Sequence, residues 1–343
     1  MKAESQAKFD PSEIERWALA YLTRLSDSGR RGVLLGGSIA RGQQWAHSDL
    51  EAGLLVEARQ PELPYFNVDT GRGVEVIQLV SSELTEQVRQ VEAGDLDAVA
   101  KWPIQLYRAR IISDATGLLA RFTALFDRRL FSPPVVQLKI RQHFTSSSSY
   151  LVRARDLLAT NCPRAAVTEV RGAMNEVILA LYWSLGELPR SQSRTDSRLR
   201  DLTIRHKRPG FYQLYRAVFD LDTTEVAVAG AWPKVRAQVL ELTKLWGARD
   251  FFEHSVDSNF TWGENGGILS VYRLYIPIMG RPDVGIFNQL DRVEWASANS
   301  DLLMFLGLSD ANPATVEAWA KQVEDALTEI IKPVTALPAG KQA

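Results

Sequence analysis

The chain has 343 residues, 45% of them hydrophobic and 24% charged, so it can bury a sizeable core, and its length suits two domains better than one. Its 40 lysines and arginines against 41 acids leave a formal net charge of −1, which exerts no global pull toward nucleic acid and weakens polynucleotide readings. The single cysteine, Cys162, excludes an intrachain disulfide, the polar start Met1 to Asp10 predicts no signal peptide, and no apolar run approaches a membrane span; a soluble cytoplasmic protein is expected.

Ser12 is a suitable N-cap for a first helix through about Ser26, with Ile14, Trp17, Ala18, Tyr21 and Leu22 at helical spacing. Apolar and β-branched runs predict strands over 32–36, 49–57 and 73–80, with a polar loop at 58–72 that contains Pro61 and Pro64. Ser82 to Ala98 reads as a helix and Gln105 to Ser113 as a further strand. Ser132-Pro133-Pro134 ends this pattern, because two prolines interrupt helix and extend the backbone.

From Val136 the periodicity is helical: residues 136–159, residues 163–186 ending at Gly186, and residues 232–254 beginning beside Pro233. Pro189 to Arg200, rich in Ser and Arg, reads as a mobile loop, Gly263 to Gly267 as a turn and Ile268 to Ile278 as a short strand-like run. A last helix is expected from Pro313 to Ile331, followed by a disordered tail, 332–343. The expected class is α+β: a mixed sheet with flanking helices over 1–131, then a helical bundle over 136–331.

The chemistry concentrates between Leu34 and Val56, where an apolar strand enters Gly36-Gly37-Ser38 and a spacer leads to Ser48-Asp49-Leu50-Glu51. Gly36 and Gly37 permit backbone angles that let main-chain N–H groups approach phosphate oxygens. Ser38 adds a hydroxyl donor, the short helix opening at Ile39 favours an anion, and Arg41 is within reach of the same phosphates, as is the hydroxyl of Ser48. Residues two apart on a strand share a face, so Asp49 and Glu51 project together. Two carboxylates held that close repel, and a divalent cation such as magnesium, which prefers hard oxygen ligands, is the usual reason to tolerate them. A third acid is expected on a neighbouring strand, and Glu75, alone in the run Gly73-Val74-Glu75-Val76-Ile77, supplies it.

Gly-Gly-Ser, a spacer, Asp-x-Glu and a downstream acid flanked by apolar residues resemble the DNA polymerase β-type nucleotidyltransferase superfamily, and the version Ser48-Asp49-Leu50-Glu51 is especially similar to kanamycin nucleotidyltransferase and its relatives. Ala109 to Leu119, a strand ending in Asp114 before Gly117-Leu118-Leu119, looks like the last strand and following helix of such a domain. The resemblance implies that Asp49, Glu51 and Glu75 bind two Mg2+ ions, that ATP or another NTP is the donor, and that an NMP passes to a hydroxyl of a small acceptor such as an aminoglycoside, with release of pyrophosphate. The stretch Tyr150 to Gly186 resembles the helical hairpin of HEPN proteins and of the second domain of kanamycin-type enzymes, which would make 136–331 an acceptor-binding domain and a homodimer reasonable.

Kanamycin-type enzymes use a glutamate of the helical domain as general base, yet here the first helix of that domain carries Thr145 to Ser149 where acids would be sought. Glu169 and Glu176, seven apart on one helix face, are the best substitutes, and structural salt bridges explain them equally well. Arg249 and His254 match the Arg-x4-His motif of HEPN ribonucleases, but five helical residues turn the two side chains about 140° apart, so a surface or interface role competes with catalysis. His47, next to Ser48-Asp49, reads as a solvated loop residue. The alternatives are nucleotidyl transfer to tRNA or protein, as in toxin-like members of the superfamily, a binding module of a HEPN-type toxin–antitoxin pair, or an RNase that uses Arg249 and His254.

Overall fold

Asp10, rather than Ser12, caps the first helix: its carboxylate accepts the Ser12 backbone N–H (2.9 Å) and hydroxyl (2.8 Å), and α1 spans Pro11–Asp27. The computed structural model describes residues 10–27, 31–44, 48–189, 195–222, 225–243, 269, 272–274, 277 and 286–335. These form an α+β protein in two compact units that meet in sequence between Val135 and Val136.

The first unit contains β1 (Gly32–Leu35), β2 (Leu50–Val56), β3 (Phe66–Asp69), β4 (Arg72–Val80) and β5 (Arg110–Asp114), with a single turn of helix, α2 (Gly37–Ala40), directly after β1. They make one five-stranded sheet in the order β3-β4-β2-β1-β5. β1 is antiparallel to β2 and β5, β3 is antiparallel to β4, and the central pair β2 and β4 is parallel. One sheet face is apolar because alternate residues Leu50, Ala52, Leu54, Val74 and Val76 cluster with Ile14, Ala18 and Leu22 of α1. The glycines of the same strands admit helix and turn residues closely: Leu119 lies over Gly32 and Leu106 over Gly53. Helices α3 (Ser81–Glu92), α4 (Asp97–Lys101) and α5 (Leu118–Arg129) complete the unit, with Trp102 edge-on to Phe122 (4.8 Å) and Phe126 (5.4 Å).

Several sequence expectations are corrected here. The loop at 58–72 contains edge strand β3, whose four residues Phe66-Asn67-Val68-Asp69 are too short and too little buried to give a continuous apolar run. The helix expected to Ala98 stops at Glu92, ahead of Gly94 at φ +99°, and restarts as α4. Gln105 belongs to a 3₁₀ turn, Ile104–Leu106, and β5 begins only after Arg108, which takes φ +57°.

The second unit is helical. α6 (Pro133–Ala159) starts on the two prolines that were expected to break the chain, since proline suits a first helical turn. α7 (Pro163–Ser184), α8 (Thr195–Arg205), α9 (Pro209–Val218), α10 (Glu225–Thr243), α11 (Val293–Ala298), α12 (Ser300–Phe305) and α13 (Pro313–Thr335) follow. Residues 195–200 are therefore helix rather than loop, α10 carries Pro233 inside it rather than at its start, and Leu269, Tyr272, Arg273 and Leu274 are helical where a strand-like run was expected. The last helix extends to Thr335; the remainder of the expected tail, the turn at 263–267 and residues 244–254 lie outside the described residues. Among the described residues no helix is long and apolar enough to cross a membrane.

The core of this unit encloses two arginines. Arg171 on α7 donates to the carbonyls of Val218 (3.0 Å), Leu306 (2.6 Å) and Gly307 (3.0 Å), and Arg273 donates to those of Phe305 (3.0 Å), Phe219 (2.8 Å) and Asp220. The two guanidinium groups thus occupy the carbonyl ends of α9 and α12, where helix geometry leaves acceptors unsatisfied and the macrodipole favours a cation.

Candidate active site

The parallel pairing of β2 and β4 sets Glu51 directly across from Glu75. Both strands present their apolar alternates to α1, so the two carboxylates necessarily share the opposite face. Asp49 sits one residue before β2, two positions from Glu51. The sheet register therefore brings the three expected acids into one neighbourhood.

Their electrostatics agree. Burial holds the Asp49 carboxyl above the ordinary carboxylate range, and it holds Glu51 well above that range, with the charges of Asp49 and Glu75 adding to the effect and Arg41 opposing it. Glu75 is also raised, chiefly by burial, although hydrogen bonds from Tyr65 and Gln105 pull the other way. Oε2 of Glu51 is shut off from solvent and, among the described residues, has no hydrogen-bond partner, an expensive state for a carboxylate oxygen. Among the described residues no three acidic, histidine or cysteine side chains already enclose a point where an ion could sit. Glu75 instead gives Oε1 to the Tyr65 hydroxyl and to Gln105 Nε2 (3.0 Å). The donor set itself, carboxylates with one bare buried oxygen, fits a hard divalent cation.

The glycine turn packs closely against β2 and the 3₁₀ turn. The Gly36 N–H is committed to the Glu51 carbonyl (2.7 Å), and a Cβ on Gly36 would meet the Gln105 carbonyl at 2.8 Å. Gly37, at φ +64°, clears space for Glu51: a Cβ there would lie 1.6 Å from Oε2. Ser38 donates its hydroxyl to that of Ser48 (3.1 Å), which ties the turn to the segment entering β2, and Ser48 is buried. Arg41 reaches the Tyr107 carbonyl (3.4 Å) while its charge acts on Glu51.

Both general-base candidates have ion-pair partners. Glu169 is buried and ion-paired with Arg153 Nε at 3.1 Å, so its carboxylate is closed to a substrate hydroxyl. Glu176 pairs with His143 Nδ1 at 2.8 Å, both side chains 18% exposed. Arg249, His254 and His47 lie outside the described residues. Tyr65 and Gln105 escaped the sequence reading because they lie 10 and 30 residues from Glu75, in a presumed loop and a presumed strand. No protein-family profile matches this sequence, and no curated protein resembles it significantly.

Proposed function

We propose that the chain is a magnesium-dependent nucleotidyltransferase of the DNA polymerase β type, which transfers an NMP from ATP or another NTP to a hydroxyl of a small acceptor such as an aminoglycoside. The observation that carries this reading is the buried Oε2 of Glu51, against Gly37 and without a hydrogen-bond partner among the described residues, on the strand pair that sets Glu51 across from Glu75. Three acids gathered at one strand pair, all with carboxyls raised chiefly by burial, support a site built for a bound cation.

Asp49 and Glu51 would hold the ions jointly and Glu75 one of them. Bound magnesium would supply charge neutralisation at the triphosphate and acidify the attacking hydroxyl. Arg41 and the Ser38 hydroxyl are the groups that would orient the phosphates. The acceptor oxygen forms a bond to the α-phosphorus, the bond from that phosphorus to the bridging oxygen breaks, and pyrophosphate leaves with the electron pair. On the same reading the helical unit would bind the acceptor.

The test is incubation of purified protein and magnesium with each of four α-labelled NTPs and separate pools of aminoglycosides, tRNA and protein. Label on a small acceptor is expected. Label on RNA or protein transfers the reading to a macromolecular acceptor, and RNA shortening without label, or no change in any pool, overturns it.

A further inference from the structure

Glu75 is only 8% exposed, and its Oε1 receives two hydrogen bonds from separate elements while Oε2 accepts none among the described residues. The first donor, Tyr65, is itself anchored to β4: its carbonyl accepts the Val76 N–H at 2.7 Å, and its ring stands edge-on to Phe66 at 4.6 Å. The second, Gln105, sits in the 3₁₀ turn whose backbone closes against Gly36. Satisfying a buried acid needs one or two donors placed anywhere on it. Two donors converging on one oxygen do something more specific, since they stop the carboxylate from rotating and select which oxygen remains open. The Tyr65 hydroxyl also feels the charges of Glu75, Glu51 and Asp49 together, so it borders the whole cluster rather than one member of it.

We infer that Tyr65 and Gln105 are positioning residues for the divalent-ion site: by occupying Oε1 of Glu75 they orient its carboxylate so that Oε2 is the oxygen offered to the ion. This rests on the metal-dependent reading above. Outer partners that orient a metal-binding side chain commonly contribute 10- to 100-fold to affinity, and the removal of either donor has an expected effect in that range.

The experiment is a titration of the full chain with Mn2+ alone, followed by loss of the free-ion electron paramagnetic resonance signal. Wild type, Y65F, Q105L, E75Q and the double variants Y65F/E75Q and Q105L/E75Q are compared, with circular dichroism melts of each. Y65F and Q105L should each weaken Mn2+ binding by about 10- to 100-fold. Neither should weaken it further once Glu75 is Gln, because both act through that carboxylate. A general structural role would lower affinity equally in both backgrounds and would overturn the inference, as would unchanged or tighter binding by both single variants. If Y65F melts far below wild type, Q105L carries the same comparison. Failure of the wild type to bind Mn2+ overturns the metal-dependent reading and this inference with it, whereas normal wild-type binding with indifferent variants overturns this inference alone.

Discussion

A methyl group built on Gly37 would lie 1.6 Å from Oε2 of Glu51, so the conformation of one acid depends on the absence of a side chain fourteen positions earlier. Gly37→Ala has two costs. The left-handed backbone at φ +64° costs a side-chain-bearing residue roughly 1–2 kcal/mol, and the methyl forces the Glu51 carboxylate to move. Mn2+ affinity of Gly37→Ala should fall by more than about 10-fold, as for loss of an orienting contact, with the far-ultraviolet spectrum unchanged. Wild-type affinity in a folded Gly37→Ala protein would show that Glu51 does not bind the ion from its present position.

On the proposed reading Asp49→Asn and Glu51→Gln each remove a metal ligand. Transfer should fall by more than about 100-fold in each, beyond what outer partners of a metal site contribute. The same changes relieve crowded negative charge, so the metal-free proteins should unfold at higher temperature, by roughly 0.5–2 kcal/mol of added stability. A scanning calorimetry comparison without metal checks this. Lower stability in both variants would mean that the acids are structural partners rather than strained ligands.

The strands of the first unit were legible where burial on both faces demands continuous apolar sequence, as in Val33-Leu34-Leu35 and Val74-Glu75-Val76-Ile77. Glu75 announced itself for the same reason, as a lone charge in such a run. β3 was not legible: it is an edge strand whose Asn67 and Asp69 are part-exposed, and Asp69 is spent on the Trp17 indole and on Arg24. α8 was hidden by its Ser and Arg content, because only Leu199, Leu202 and Thr203 are buried. The carboxylate register was implicit in the spacing of Asp49 and Glu51, but the contacts of Tyr65 and Gln105 with Glu75 join three separate segments, and no local pattern encodes that.

The pH dependence follows from the raised carboxyls. Asp49, Glu51 and Glu75 titrate higher in the folded chain than in the unfolded one, chiefly through burial. Between the ordinary carboxylate range, about 4, and those raised positions the native state binds more protons, so stability falls as pH rises. Below that range both states are protonated and the penalty disappears. Urea unfolding of metal-free wild type and Glu51→Gln should therefore give nearly equal stabilities near the bottom of the window and a gap in favour of Glu51→Gln that widens as pH rises through it. A gap that stays constant with pH would remove the electrostatic origin assigned to it.

Arg171 tests the helical unit by itself. Its guanidinium is completely buried, and burial together with the neighbouring Arg273 charge pushes it down to about 9, still cationic at neutral pH. Replacement by Met keeps the apolar stem but leaves the carbonyls of Val218, Leu306 and Gly307 without the donor that now serves all three. Breaking a buried charged contact in this one-sided way costs ~3–5 kcal/mol. Lys should rescue little, because one ammonium cannot reproduce the planar fork that reaches two helix ends. Hydrogen exchange should show the amides of α7, α9 and α12 losing protection in Arg171→Met, while β2 and β4, whose core is built with α1, keep theirs. Loss of protection in both units together would mean that they unfold as one body, and that the two cores defined by their internal packing are not separate in energy.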